Sequence, residues 1–365
     1  MNIDLQVPSL TVEDALQQQV TYVDVRTPKE FEHFHIPGAL HLPLFSTEEH
    51  ARIGTVYRQQ GKEAAKQIGL NLFSKKLPHL YQQFKSIKYE HKGKLLVVYC
   101  WRGGMRSRSI VSVMSTLGIP VLQLQEGIRA YRRWIVQGLA EEAKKNKPYI
   151  VLDGYTGTGK THILHHLAQE GYPVLDLEGL AHHRGSVFGH IGQRPRNQKQ
   201  FECALWDRIQ KIQDAPYYLI EAESARIGNV HLPDAVLRGK REGIRIQIEA
   251  PLEFRIRTIC QTYLLDRHYE QFVKAFSTIE KRLPSKAAQE IRTALARRDA
   301  AKVVQMLLHH YYDPRYDYAA QKQKPPAYSL HVHSLTDGVN KVKKTIDQIV
   351  NKPGSSDKAL ISRVG

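Results

Sequence analysis

VVYCWRGGMRS, residues 97–107, contains the end of a strand, a cysteine and a glycine-rich turn. The apolar run Leu95–Tyr99 that leads into it is typical of a central parallel strand buried on both faces. The cysteine follows at the carboxyl end of that strand, where the loops of a parallel sheet face a binding crevice. Further apolar runs at 21–25 and 120–124 alternate with helical patterns. These patterns predict an α/β domain built on a mostly parallel sheet.

The turn after this strand has the composition of an anion-binding loop. Two adjacent glycines let the backbone curl so that several N–H groups converge on one point, just before a predicted helix. Those N–H groups and two arginines would stabilise a thiolate, which is a nucleophile. The alternative is a buried structural cysteine, which explains neither the glycines nor the arginines. The predicted catalytic residues are Cys100, Arg102 and Arg106, and the predicted anion cradle consists of Gly103, Gly104 and Ser107.

This segment and two others resemble the rhodanese family. YVDVRTPKEFEHFHIPGALHLPL carries the family's D-V-R, E-F and H-I-P-G-A-x-x-x-P elements. LQEGIRAYRRW is similar to the family's L-x-G-G-x-x-x-W ending, with Glu126 where a glycine is usual. The resemblance covers about residues 10–138 and implies a persulfide or perselenide carried on Cys100. The five residues between Cys100 and Arg106 are one more than is typical of rhodaneses, and a wider loop suits a larger tetrahedral anion.

A second α/β domain begins at the apolar run YIVL and continues into a phosphate-binding motif. VLDGYTGTGKTHIL, residues 151–164, has the spacing G-x-x-x-x-G-K-T between a predicted strand and a predicted helix, which is the context that the motif requires. The motif predicts a bound diphosphate or triphosphate, held by loop N–H groups and a lysine, and its threonine hydroxyl can hold Mg²⁺. The predicted phosphate-binding residues are Gly154, Gly157, Gly159, Lys160 and Thr161.

Acidic residues follow a later strand, in YYLIEAES. Glu221 and Glu223 lie where a P-loop protein usually has an aspartate. Either could contact a metal-bound water or act as a base, or simply solvate the strand end. Further strands are predicted at 173–177, 244–248 and 329–332, and residues 251–310 have a helical and basic pattern. Neither cysteines nor histidines show metal-ligand spacing, so no metal site is assigned from the sequence.

The chain has a large positive net charge. Lys and Arg number 53 against 36 Asp and Glu, which gives a formal charge of +17 and favours a polyanionic partner. No acidic residue occurs at 179–201, and glycines there predict a flexible loop that could follow a phosphate backbone. A tryptophan next to the cysteine could stack on a base or pack under the loop. The candidate RNA contacts are Trp101, Arg184, Arg194, Arg196 and Lys199.

Length and composition predict a cytoplasmic protein of two domains. The 365 residues suffice for two domains, and three cysteines fit a reducing compartment. No secretory signal and no long apolar run occur, so no membrane partner is expected. The rhodanese-like parallel-sheet domain should span 1–138 and a linker 139–148. A P-loop NTPase-like α/β domain with a basic helical C-terminal part should span 149–350, followed by a flexible tail at 351–365.

The two domains together resemble the bacterial tRNA 2-selenouridine synthase family. The likeness rests on CWRGGMRS, GYTGTGKT, DLEGLAHHRGSVFG and EAESARIG and covers nearly the whole chain except the tail. It implies that selenium replaces sulfur on 2-thiouridine at the tRNA wobble position. It also implies selenophosphate as the selenium donor and an S-geranylated intermediate made from geranyl diphosphate. No tightly bound cofactor is implied, and an enzyme that supplies selenophosphate is a candidate partner.

Other functions remain compatible with these motifs. A phosphatase with a C-x5-R loop could be fused to a kinase-like P-loop domain. The chain could instead be a non-catalytic sulfur carrier or RNA-binding module whose P-loop only senses nucleotide. An ATP-dependent tRNA sulfurtransferase would need an adenylation step that the motifs do not indicate.

Overall fold

The computed structural model describes residues 7–321 and 325–351, and the chain divides into two compact units after Gly138. Both units are α/β with parallel sheets, which confirms the predicted fold class. The tail predicted at 351–365 lies outside the described residues, apart from Asn351 at the end of the last helix. No helix within the described ranges has the length and apolar character needed to span a membrane.

The first unit is built on a parallel sheet. Its described strands are β1 (Ser9–Leu10), β2 (Val20–Asp24), β3 (Leu40–His41), β4 (Leu95–Tyr99) and β5 (Val121–Leu124). They lie in the order β1-β5-β4-β2-β3, so β4 is central, and the last four residues of β4 are fully buried. The described helices are α1 (Val12–Leu16), α2 (Pro28–His33), α3 (Thr47–Gln60), α4 (Lys62–Glu90), α5 (Met105–Thr116) and α6 (Gly127–Lys144).

Helix α6 continues into the segment predicted as a linker, so residues 139–144 are helical. The segment is ordered because Glu142 is buried and accepts a hydrogen bond from the Tyr218 hydroxyl at 2.6 Å. Lys147 is also buried, and its ammonium lies 3.4 Å from the Glu142 carboxylate. Part of the expected linker is therefore packed against the second unit's sheet.

A buried ion pair joins the strand ends of the first unit. Arg26 is 1% exposed and donates from Nε to an Asp24 oxygen at 2.9 Å and from a terminal nitrogen to the Phe34 carbonyl at 2.7 Å. Its guanidinium carbon also lies 5.5 Å from the ring centre of Tyr99. The Tyr99 hydroxyl accepts from the Ile36 N–H at 3.2 Å. The pair therefore links β2 to β4 at the edge where Cys100 follows.

The second unit has its own parallel sheet. Its described strands are β6 (Tyr149–Asp153), β7 (Tyr218–Glu221), β8 (Arg226–Ile227), β9 (Val230–His231), β10 (Ile244–Glu249) and β11 (Tyr328–His331). The parallel order is β11-β10-β6-β7, and β8 pairs with β9 in a small antiparallel hairpin. The strand predicted at 173–177 is wrong, since only Val174 forms an isolated bridge, to Leu219. A helix begins at Leu177 instead, because Asp176 caps it by accepting from the Gly179 N–H at 2.9 Å.

Helices surround this sheet and form the C-terminal part. They are α7 (Lys160–Gln169), α8 (Leu177–Ala181), α9 (Gln198–Lys211), α10 (Asp234–Glu242), α11 (Leu252–Tyr263), α12 (Tyr269–Ile279), α13 (Ser285–Ala296), α14 (Ala300–Leu307), α15 (Asp313–Ala320) and α16 (Leu335–Asn351). A π-helical turn, Leu308–Tyr312, joins α14 to α15. Helices α12 to α14 share a separate apolar core that includes Phe272, Ile291 and Val303. The predicted helical C-terminal part is confirmed.

The substitution Arg26→Ala tests the buried pair. It leaves the Asp24 carboxylate buried and unpaired, so we expect the free energy of unfolding to fall by about 3–5 kcal/mol. Lys66→Ala is the control, because it breaks an ion pair with Glu63 that lies on the surface. Urea unfolding of the full chain, followed by circular dichroism, measures both. Similar midpoints for the two variants would contradict a stabilising role for the Arg26 pair.

Candidate active sites: a cysteine loop and a phosphate loop

Cys100 lies directly after β4, at the carboxyl end of the central strand, and its side chain is only 3% exposed. Gly103 has a left-handed φ of +65°, which turns the chain into helix α5. Gly104 is the N-cap of that helix and provides no side chain to cap it. The N–H groups of the first turn of α5 are therefore left to bind an anion beside the sulfur.

A serine and a glutamine complete the surroundings of the sulfur. The Ser107 hydroxyl oxygen lies 3.1 Å from Cys100 Sγ. Gln123, on β5, donates from Nε2 to that hydroxyl oxygen at 2.7 Å and to the Gly103 carbonyl at 2.8 Å. The sequence analysis missed Gln123 because PVLQL has the pattern of an apolar strand. The signal in the sequence is that Gln123 is the single polar residue of this run. In the structure it is buried, with 6% of its surface exposed.

Arg106 is bound within the protein. Its terminal nitrogens donate to both Glu30 oxygens, at 2.7 and 3.1 Å. Burial raises the pKa of Glu30, but hydrogen bonds from Arg106 and from Thr27, the N-cap residue of α2, outweigh it and lower that pKa to about 2. The pair is therefore ionised at neutral pH, and its arginine charge is already balanced. In this conformation Arg106 is engaged by Glu30 and would have to exchange that partner in order to bind a substrate anion directly. Arg102 and Trp101 are exposed.

Gly127 allows a second backbone segment to lie against the cysteine loop. A Cβ at this position would lie 2.3 Å from the Cys100 carbonyl oxygen and 2.9 Å from the Gly103 nitrogen. The Ile128 N–H donates to the same Cys100 carbonyl at 2.9 Å. Glu126, where the rhodanese resemblance expects glycine, has a left-handed φ of +53°. The backbone thus keeps a conformation suited to glycine although the residue differs.

The phosphate loop joins β6 to α7 and brings together the residues predicted for it. Gly157 and Gly159 have φ values of +86° and +89°. Gly154 lies against the next strand, where a Cβ would be 2.3 Å from the Ile248 carbonyl oxygen. A Cβ at Gly157 would be 2.8 Å from the Arg255 carbonyl oxygen. Larger side chains would therefore displace the loop from β10 and α11.

Lys160 is held inside this loop. Its ammonium donates to the Gly154 carbonyl at 2.7 Å and to the Tyr155 carbonyl at 3.1 Å. Burial lowers the pKa of Lys160, but nearby Tyr316 and acidic groups including Glu221 outweigh it and raise that pKa. The amine therefore carries a positive charge at the point where the motif predicts a phosphate.

Glu178, on α8, joins the two acids predicted from sequence. One ligand atom from each of Glu178, Glu221 and Glu223 lies within 4.8 Å of the other two. Burial raises the pKa of all three despite Lys160. Repulsion from the neighbouring acids adds to this for Glu178 and Glu221, and the pKa of Glu221 rises to about 7. Glu221 is 4% exposed, and its Oε1 has no hydrogen-bond partner in the described structure. The sequence analysis quoted the segment containing Glu178 without giving that residue a role.

The phosphate loop and the three acids line one cavity of about 840 Å³. Beyond the loop the wall is mixed, with basic groups such as Arg184, Lys240 and Arg245 beside aromatic and apolar side chains. Its lining includes Val187, Ile259, Tyr263, Tyr311, Tyr312 and Tyr316. A small apolar cavity adjoins it and shares Ile259, Tyr263 and Tyr312 with it. The combined space has a charged end and an apolar end.

The structure uses part of the basic stretch internally. Arg184 donates to the Ile191 carbonyl at 3.0 Å and lies over the ring of Tyr263, where it lines the cavity. Arg196 donates to the Leu180 carbonyl at 3.0 Å and is half-buried. Arg194 is exposed, and Lys199 is half-buried near the start of α9. Of the predicted RNA contacts in this stretch, Arg194 is exposed and the other three are half-buried.

Two family models match the chain in agreement with this architecture. Residues 11–134 match the rhodanese-like domain, and residues 147–345 match the tRNA 2-selenouridine synthase AAA domain. The second match covers more than half of the chain. The chain belongs to the tRNA 2-selenouridine synthase family. The resemblance stated from its motifs is thereby confirmed.

Individual relatives cover most of the chain. The tRNA 2-selenouridine synthase of Bdellovibrio bacteriovorus is 30% identical over 346 residues, which cover 84% of this chain and 90% of that protein. The tRNA 2-selenouridine synthase of Shewanella piezotolerans is 31% identical over 331 residues, 82% of this chain and 89% of that one. A solved N-terminal domain of an ATP/GTP-binding protein from Clostridium difficile 630 is 43% identical, with a TM-score of 0.34. It covers 35% of this chain and 98% of its own.

The substitution Gly127→Ala tests the close backbone contact in this member of the selenouridine synthase family. The added methyl group would displace the Cys100 carbonyl. We therefore expect Gly127→Ala to lower the free energy of unfolding by about 2 kcal/mol more than a substitution that causes backbone strain alone. Gly118→Ala is matched for strain, since Gly118 also has a left-handed φ but nothing within 4 Å of a Cβ. Thermal unfolding compares the two variants. An equal loss in both would show that the contact is unimportant.

The buried acids predict a pH dependence of stability. Because folding raises the pKa of Glu221 to about 7, the folded protein binds a proton more tightly than the unfolded chain. This contribution is present at low pH and is lost as pH rises through about 7. Glu221→Gln should therefore remove roughly 1–3 kcal/mol of the fall in stability between about pH 5 and pH 8. Thermal unfolding measures it, with exposed Glu253→Gln as the control, and an unchanged pH profile would contradict it.

Proposed function

We propose that this chain replaces sulfur by selenium on the wobble 2-thiouridine of tRNA, with the two loops acting in consecutive steps. Family membership supports a tRNA-modifying enzyme. The observation that carries the detailed proposal is the cavity at the phosphate loop, which has a charged end and an aromatic end. Such a cavity suits a diphosphate that bears a hydrocarbon chain, as geranyl diphosphate does.

The first step transfers the geranyl group to the thiouridine sulfur. The sulfur attacks the first carbon of the geranyl chain, and a carbon–sulfur bond forms as the carbon–oxygen bond to diphosphate breaks. The base loses its N3 proton, which leaves a neutral S-geranyl base. Loop N–H groups and the Lys160 ammonium stabilise the negative charge that develops on the leaving diphosphate. Tyr263, Tyr312 and Ile259 provide apolar surface for the chain.

A divalent cation fits the charged end of this cavity. Carboxylate and hydroxyl oxygens are the ligands that Mg²⁺ prefers. Glu178, Glu221 and Glu223 provide carboxylates, and Thr161, which hydrogen-bonds with Glu221, provides the hydroxyl. The unpartnered Oε1 of Glu221 is a buried acceptor available to a cation. When bound, Mg²⁺ would neutralise diphosphate charge.

The second step places selenium on C2 of the base. Alkylation has made the sulfur a better leaving group, because it can depart as a neutral thiol. The selenium of selenophosphate attacks C2, the C2–Se bond forms, and the C2–S bond breaks as geranylthiol leaves with a proton. An enzyme that makes selenophosphate would be the partner that supplies this step.

Cys100 then removes the phosphoryl group from selenium. Its thiolate attacks phosphorus, an S–P bond forms as the Se–P bond breaks, and water hydrolyses the phosphocysteine to phosphate. This route needs no oxidant, because selenophosphate already holds selenium at the selenide level. The perselenide on Cys100 implied by the rhodanese resemblance would need a two-electron oxidant. The wide loop, the free N–H groups of α5 and Arg102 support phosphoryl binding.

Analysis of tRNA nucleosides by mass spectrometry tests this division of labour. Full-length protein is incubated with tRNA, selenophosphate and geranyl diphosphate, with each omitted in turn and with or without Mg²⁺. We expect Lys160→Ala to reduce geranylation by about a hundredfold or more, because a leaving-group stabiliser is lost. We expect Cys100→Ala to carry out geranylation but to yield no selenouridine, because the phosphoryl group stays on selenium.

Lys211→Ala is the control, since this lysine is exposed and pairs with Asp207 on the surface of α9. It should leave both products unchanged. The reverse pattern, in which Cys100→Ala abolishes geranylation and Lys160→Ala does not, would overturn the proposal.

A further inference from the structure

A buried amide on the neighbouring strand holds the cysteine loop. Gln123 lies on β5, is 6% exposed, and directs its Nε2 toward two groups of the loop. Burying an amide is unfavourable unless hydrogen bonds compensate for the lost water. The two acceptors, the Gly103 carbonyl and the Ser107 hydroxyl, provide that compensation.

The Gly103 carbonyl fixes which way the amide faces. A carbonyl oxygen can only accept, so the atom 2.8 Å from it must be the amide nitrogen of Gln123. The same nitrogen lies 2.7 Å from the Ser107 hydroxyl oxygen and donates its second hydrogen there. Ser107 therefore accepts from Gln123, and its own proton is left to donate elsewhere.

Two acceptors compete for the Ser107 proton. Cys100 Sγ lies 3.1 Å from the hydroxyl oxygen, which is a short distance for a hydrogen bond to sulfur. The Gly104 carbonyl lies 3.4 Å away, beyond the usual range for a hydroxyl donor and an oxygen acceptor. The sulfur is therefore the better-placed acceptor, and a hydrogen bond to an ionised sulfur is stronger than one to a neutral group.

We propose that Gln123 is a positioning residue for Cys100. By donating to Ser107 it turns the hydroxyl proton onto the sulfur and stabilises the thiolate, the form that attacks the phosphoryl group. It also holds the Gly103 carbonyl toward β5, so the N–H of Gly104 in the same planar peptide points the opposite way. The inference rests on the nucleophilic role of Cys100 in the proposed function.

Charged groups around the loop do not replace this hydrogen bond. The Arg106 charge is balanced by Glu30. Burial and Arg106 lower the pKa of His50, so its ring is neutral at neutral pH. Arg102 is exposed to solvent, which screens its charge.

Alkylation of Cys100 in the full-length protein tests the proposal without tRNA. Iodoacetamide is the probe, and peptide mass spectrometry separates Cys100 from Cys203 and Cys260. In Gln123→Met, which keeps the size but removes the donors, we expect alkylation about tenfold slower near pH 6.5. At about pH 9.5, where thiols are largely ionised, the rate should be within about twofold of the unmodified protein. We expect Ser107→Ala to show the same slowing of alkylation near pH 6.5 and the same recovery at about pH 9.5.

The double variant Gln123→Met with Ser107→Ala should be no slower than Ser107→Ala alone, because Gln123 acts through the serine. Gln125→Met is the control, since its amide donates to Ser9 at the protein surface. Circular dichroism checks that each variant is folded.

Two results would overturn the proposal. Equal slowing at both pH values would indicate a packing role only, and an unchanged rate near pH 6.5 would remove the role altogether. Failure of the proposed function is distinguishable, because Cys100→Ala would then still produce selenouridine while the alkylation results remained unaffected.

Discussion

At each candidate loop a glycine allows one backbone segment to lie against another with no side chain between them. Gly127 lies on the Cys100 carbonyl, and Gly154 lies on the Ile248 carbonyl. Because those carbonyls belong to or directly follow paired strands, neither loop can move away without disturbing its sheet. The positions of the sulfur and of the Lys160 ammonium are therefore set by sheet register rather than by flexible side chains.

The electrostatics of the two loops share one principle, which is that each strong charge faces an opposite one. Arg106 is balanced by Glu30 in the first unit. In the second unit Lys160 lies near Glu221 and Glu223, and burial raises the pKa of both acids despite the lysine. The arginine and lysine at these two loops are balanced by acids. The +17 net charge of the chain therefore arises mainly from residues elsewhere.

The sequence predicted those features that depend on neighbouring residues. The strand before Cys100 and the loop from Gly154 to Thr161 are contiguous motifs whose chemistry and geometry are local. Gln123 and Glu178 were missed because the fold brings them to the loops from separate elements. The partner of Arg106 was also missed, since Glu30 lies 76 positions away in the chain.

One strand prediction failed for a local reason. The run at 173–177 has apolar residues suited to a strand, but Asp176 caps a helix that begins one residue later. Capping satisfies an N–H group that a strand would have paired differently. The consequence reaches the second site, because the helix that replaces the strand end carries Glu178 into the acidic cluster.

The resting contacts of Lys160 have a consequence for ligand selection. An ammonium has three hydrogens, and two of them are already engaged by the Gly154 and Tyr155 carbonyls. An incoming anion must compete with these internal acceptors, so binding is an exchange of partners whose driving force grows with ligand charge. Weakly charged solutes would gain little from that exchange, whereas a multiply charged phosphate ester would compete more effectively with the carbonyls. The loop would therefore favour ligands of high negative charge.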